Sequence, residues 1–144
     1  MPHLVILYTG NLDAVTDMTA LCRALADAML DVTDEAGAPV FPTGGTRVLA
    51  YPAPHFAVAD GGAAGRAAGF DVDYGFVYLN LRMGRGRSAA LQQQAGRRLE
   101  AVVKAHFAPL FPVRPIGVTL QIDEGPEVFD AKNSSLHPLF QKKA

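Results

Sequence analysis

The chain has 144 residues, 49% of them hydrophobic, with a formal net charge of -1 and a pI near 6.4. That length suits one compact domain with its own core and leaves no room for two, and the charge balance excludes a global basic field for nucleic acid or an anionic membrane. A single cysteine, Cys22, excludes an internal disulfide, and the four histidines show neither CxxC nor HExxH spacing, so no metal is expected. The chain opens without a basic stretch leading into an apolar core, and no apolar run reaches the length of a membrane span, so the expectation is a cytoplasmic protein.

His3 to Tyr8 is short, apolar and rich in Leu, Val and Ile, which predicts a strand beginning almost at the first residue. After Gly10 and Asn11, apolar residues recur at Met18, Leu21, Cys22, Leu25 and Met29, one face of a helix, with Asp13 as its expected N-cap. Gly37, Pro39, Pro42, Gly44 and Gly45 break that pattern. Thr46 to Tyr51 resumes as strand, continuing irregularly past Pro52 and Pro54 through His55 to Ala59. Gly61 to Gly69 is almost entirely Gly and Ala and reads as a mobile surface insertion.

The order then repeats. Tyr74 to Met83 alternates, with Val77, Leu79 and Leu81 on one face and Phe76, Tyr78 and Asn80 on the other. From Ser88, the set Leu91, Ala95, Leu99, Val102, Val103, His106, Phe107 and Leu110 traces a long amphipathic helix. Ile116, Val118, Leu120 and Ile122 make the last strand. Two tandem βαβ units, about 1–60 and 72–124, predict a two-layer α+β fold: a four-stranded mixed sheet, parallel within each unit, with two helices on one face. The other face would carry Phe76, Tyr78 and Tyr8, an apolar surface that oligomerisation would cover. The tail 125–144 holds Phe129, Leu136, Leu139 and Phe140 without regular period; docking on a neighbouring subunit and docking on its own domain account for them equally well.

Three features can carry chemistry. The first is Pro2, fixed at the start of a strand and, once Met1 is removed, presenting a secondary amine. An α-amino group titrates near about 7.7 to 8.0, and an apolar pocket or nearby cations lower that value, leaving a neutral base suited to enolisation. Read alone, Pro2 is also simply a common residue after the initiator. The second is Met83-Gly84-Arg85-Gly86-Arg87-Ser88, where glycines permit a tight turn, Ser88 can cap the helix and Arg87 sits beside an anion-favouring helix N-terminus. Gly84, Gly86 and Ala89 formally satisfy a dinucleotide GxGxxA pattern, but no acidic residue ends a strand about 20 residues on, since Glu100 falls inside the helix. A structural turn bearing surface arginines also fits. The third is Gly44-Gly45-Thr46-Arg47, where Arg47 either clamps a carboxylate or is solvated. His106 shares the apolar helix face and reads as a core histidine with one hydrogen-bond partner, and Cys22 reads as packing.

Taken together, these pieces resemble one family. Met1-Pro2-His3, Phe41-Pro42 followed by Gly45-Thr46-Arg47, Ala59-Asp60-Gly61, Asp73-Tyr74 with Phe76-Val77, Gly84-x-Gly86-Arg87-Ser88, Gln93-Gln94-Ala95-Gly96, His106-Phe107-Ala108 and Leu136-His137-x-Leu139-Phe140 are similar, nearly end to end, to the 5-carboxymethyl-2-hydroxymuconate delta-isomerases. These belong to the tautomerase superfamily with 4-oxalocrotonate tautomerase. The resemblance implies one tautomerase domain over 1–144, a homotrimer, no cofactor, and a small-molecule carboxylate as substrate. It implies Pro2 as base, Arg47 and Arg87 as the carboxylate-binding and catalytic arginines, and ketonisation of 5-carboxymethyl-2-hydroxymuconate in homoprotocatechuate meta-cleavage catabolism. The stretches 61–71 and 36–39 are expanded relative to the family pattern. A tautomerase of phenylpyruvate-like enols, or a non-catalytic trimeric binding protein, would share the fold.

Overall fold

The structure, a computed structural model, describes residues 2–141. Met1, whose removal the proline reading requires, and the end of the expected tail, 142–144, lie outside the described residues. Four strands, β1 (His3–Thr9), β2 (Arg47–Ala53), β3 (Gly75–Met83) and β4 (Ile116–Glu124), form one sheet in the order β2-β1-β3-β4. β1 runs parallel to β2, β3 parallel to β4, and the two units meet antiparallel through β1 and β3, as the tandem βαβ reading predicts.

The helices α1 (Met18–Leu30) and α3 (Ala89–Phe107) cover one sheet face. α3 starts where the sequence places it, because the Ser88 hydroxyl accepts from Leu91 N–H at 3.2 Å. α1 is capped by Asp17, accepting from Ala20 N–H at 2.9 Å, and not by Asp13. A 3-10 turn, Gly10–Leu12, comes first and buries Leu12 completely, and the Asp13 carboxylate instead accepts the Tyr8 hydroxyl at 2.5 Å. Burial, more than that bond, pushes the Tyr8 phenol up to about 12.

Strand alternation builds the core. Leu4, Ile6 and Tyr8 of β1 and Val77, Leu79 and Leu81 of β3 face Leu21, Leu25 and Met29 of α1 and Ala95, Leu99 and Phe107 of α3, all buried. Tyr8 therefore lies on the helix side, 5% exposed and in register with Val77, not with Phe76 and Tyr78 as expected. Gly75 lets β3 approach the core closely, since a Cβ there would stand 2.7 Å from Leu12 Cδ2. His106 is half-buried and shares a 2.7 Å hydrogen bond with the Thr16 hydroxyl, the single-partner core histidine the sequence predicts. Burial lowers its pKa.

Two stretches differ from expectation. β2 stops at Ala53, because Pro54 offers no N–H, and 55–59 is not strand. The Gly/Ala-rich insertion contains a short helix, α2 (Ala63–Ala67), tied by Asp60, which accepts from Gly62 and Ala64 N–H at 3.1 and 3.0 Å, and by Gly65 N–H donating to the Tyr74 hydroxyl at 2.8 Å. The Ala64 N–H, then the Tyr74 hydroxyl, hold the Asp60 carboxyl below the usual carboxylate range.

The face away from the helices is open. At one end it shows Leu7, Leu49, Tyr51 and Phe76, each between 37% and 51% exposed; at the other it is polar, with His3, Arg47, Asn80, Arg82 and Asp123.

Candidate active site

Strand register brings the first sequence feature to the polar end of the sheet. His3 pairs with Arg47 on one side and with Arg82 on the other, so continuing the register by one residue sets Pro2 beside Thr46 and Met83. Pro2 is buried. The chain start, the entry to β2 and the exit from β3 thus meet at one place. His3, on the open face there, has its pKa lowered by partial burial and then by the Arg47 charge.

Arg47 is half-buried and donates from Nη1 to the Gly45 carbonyl at 3.1 Å. That carbonyl belongs to the 3-10 turn Thr43–Gly45, closed by Gly45 N–H and the Thr46 hydroxyl, both donating to Pro42 O at 3.0 Å. Arg87 follows the exit of β3 through Gly86, whose φ of 115° is open to glycine alone. Its guanidinium lies 5.2 Å above the ring centre of buried Phe41 and donates to Val40 O at 3.3 Å and Gly84 O at 3.4 Å, while Nε is buried without a partner. Arg87 therefore reaches the segment that leads into Arg47. Buried Pro2, Arg47 at the start of β2 and Arg87 in the segment after β3 thus lie toward the same end of the sheet.

Among the described residues no group of three or more His, Cys, Asp and Glu is placed to hold a metal. A cleft of about 520 Å³ between α3 and β4, rimmed by Arg97, Glu100 and Lys104, includes none of Pro2, Arg47 and Arg87. It offers no base other than a surface carboxylate. His55 lies apart from the site. His137, for which the sequence reading gives no site role, packs on Gly44 in the turn before Arg47; the signal for it was the apolar cluster closing the tail.

A family model described as 5-carboxymethyl-2-hydroxymuconate isomerase matches residues 2–140. The chain belongs to this family of isomerases. A crystal structure of a 5-carboxymethyl-2-hydroxymuconate delta-isomerase superposes with a TM-score of 0.95 at 64% identity, covering 100% of this chain and 95% of that one. The 5-carboxymethyl-2-hydroxymuconate Delta-isomerase of Escherichia coli is 28% identical over 141 residues, 98% of this chain and 100% of the relative. A fused 4-OT, solved as an asymmetric trimer, shares the fold with a TM-score of 0.55 at 18% identity, over 96% of this chain and 99% of that one. The tandem βαβ sheet is thus the tautomerase fold, and the chain is an isomerase. Among the described residues no helix is long and apolar enough to cross a membrane.

Proposed function

We propose that this isomerase is a cytoplasmic, cofactor-independent tautomerase that converts 5-carboxymethyl-2-hydroxymuconate to its 2-oxo isomer in homoprotocatechuate catabolism, with Pro2 as the proton carrier. The observation that supports it most is the register that sets buried Pro2 beside Thr46, which precedes Arg47, and beside Met83, from which the chain leads to Arg87. After loss of Met1, a secondary amine in that position is disfavoured as a cation by burial and by the neighbouring arginines, and is neutral near pH 7. It accepts the proton of the 2-hydroxyl as the enol oxygen becomes a carbonyl. The pair of electrons moves along the conjugated system, and the same nitrogen delivers a proton to its distal carbon.

Arg47 and Arg87 orient the substrate's carboxylates, and charge growing on the 2-oxygen is met by a guanidinium in a site with little water. The same reading makes the functional unit a homotrimer. Its contact is the open sheet face, where Leu7, Leu49, Tyr51 and Phe76 are exposed together and association would cover them.

The test is a spectrophotometric assay on this substrate, using protein whose mass confirms Met1 removal, beside a Pro2→Ala variant. The wild type should turn over and the variant should lose at least about a hundredfold in kcat. A variant within a factor of about three of wild type would remove Pro2 from the mechanism, and an inactive processed wild type would remove the substrate.

A further inference from the structure

The chain beyond β4 packs on the Gly44 turn that precedes Arg47 and runs beside Gly84, in the segment that precedes Arg87. At one edge of the sheet Gly125 N–H donates to Met83 O at 3.2 Å, and a Cβ added at Gly84 would meet the Glu127 carboxylate at 3.7 Å. At the other edge the 3-10 turn His137–Phe140 sits on Gly44: a Cβ there would stand 3.0 Å from His137 Nδ1, 3.1 Å from Phe140 Cδ2 and 3.2 Å from His137 Cα. A side chain at that position would press on the turn by a few tenths of an ångström. The turn lies on Gly44 in a fixed orientation, because Leu136 and His137 N–H both donate to the Ser134 hydroxyl, at 3.1 and 3.0 Å. Phe140 continues into a hollow of about 460 Å³ shared with Cys22, Thr46 and Val48.

Each end of the tail lies near a carbonyl that holds an arginine, tightly packed at Gly44 and at ordinary van der Waals range at Gly84. Arg87 donates from Nη1 to the carbonyl of Gly84, beside Glu127. Arg47 donates from Nη1 to the carbonyl of Gly45, next to the seat on Gly44. Since β4 and β2 are the two edge strands, and both anchors lie at the Pro2 end, the residues between them cross the width of the sheet there.

We propose that this tail is a strap that sets the separation of the Arg47 and Arg87 guanidiniums, making His137 and Phe140 positioning residues for ligands that carry two or more carboxylates. The inference rests on the reading of Pro2, Arg47 and Arg87 as one site. Two guanidiniums gripping one stiff conjugated ligand need a fixed spacing, and a displacement of about 1 Å costs up to about a hundredfold in rate or binding. Loosening the seat at Gly44 frees Gly45 and, through its carbonyl, Arg47.

Full-length Gly44→Ala and Phe140→Ala test it with two readouts. On 5-carboxymethyl-2-hydroxymuconate, KM should rise about tenfold in each variant, with any fall in kcat smaller than that rise, since Pro2 is untouched and the guanidiniums are displaced but not removed. In nitrogen-15 NMR the Arg47 Nε–Hε signal should shift in both. A fall in kcat alone, an unchanged KM, or an unmoved Arg47 signal overturns the strap. If the processed wild type does not turn over, the functional reading fails and the NMR readout alone decides: a shifted Arg47 signal upholds the strap, and an unmoved one removes it.

Discussion

The contact between Phe41 and Arg87 can be weighed by a double-mutant cycle. Phe41 is 1% exposed and the Arg87 guanidinium lies 5.2 Å above its ring, with Nε buried. A cation over an aromatic face contributes about 0.5–1 kcal/mol when exposed and about 2 kcal/mol when desolvated, so a half-buried arginine should fall at about 1–2 kcal/mol. Phe41→Leu keeps most of the apolar burial and removes the π face; Arg87→Met keeps the length and removes the charge together with the bonds to Val40 O and Gly84 O. Measured by urea unfolding at one protein concentration, because association adds to apparent stability, the two changes should couple by about 1–2 kcal/mol. A coupling under about 0.5 kcal/mol, the level of ordinary additivity, would refute a cation–π role and leave Phe41 as core packing alone.

Gly75→Ala should lower Tm by several degrees and stability by about 1–3 kcal/mol, because its Cβ would lie 2.7 Å from Leu12, which is fully buried; an unchanged melting curve would show that Leu12 can repack. On the proposed assembly, the wild type should sediment as a trimer and Leu49→Lys as monomers with unchanged far-UV circular dichroism, whereas a trimer that persists in the variant would mean that the open sheet face is not the contact. Burial depresses His106, and His3 likewise, below the ordinary value of about 6.5, so the unfolded chain binds more protons as pH falls beneath that value. Stability contributed by these groups is present above about pH 6.5 and lost as pH drops through their folded values. His106→Phe should flatten that acid-side slope in urea titrations; an unaltered slope would assign it elsewhere.

Local signals made much of this legible. Ser88 stands directly before an apolar 3.6-residue period, so the start of α3 needed no tertiary information. Asp13 and Asp17 both precede the α1 period, and what separates them is a contact: the Tyr8 hydroxyl, brought back over the 3-10 turn, occupies Asp13 and leaves Asp17 to cap. The face of Tyr8 follows from its parity with Leu4 and Ile6, a rule that outweighs its kinship in type with Phe76 and Tyr78. The order in 61–69 rests on bonds to Tyr74 and Asp60, which glycine and alanine do not announce. At the proposed site, the sequence marked the residues, but only the register of β1 with β2 and β3 sets the chain start beside the entry to β2 and the exit from β3. The strap contacts on Gly44 and Gly84 span dozens of residues and leave no periodic trace.

The sheet order β2-β1-β3-β4 is a palindrome of its two units, since β1 and β3 are central, antiparallel neighbours and β2 and β4 their outer partners. Turned half a revolution in place, each unit lands roughly on the other. The position that would then fall on Pro2 lies at the start of β3, at the opposite end of the sheet. Its nitrogen is an amide in mid-chain, without basicity. On the proposed mechanism, a catalyst made from a chain terminus cannot be duplicated by repeating the scaffold: two copies of the unit give twice the sheet and still a single amine, which leaves the second unit free to specialise as a wall.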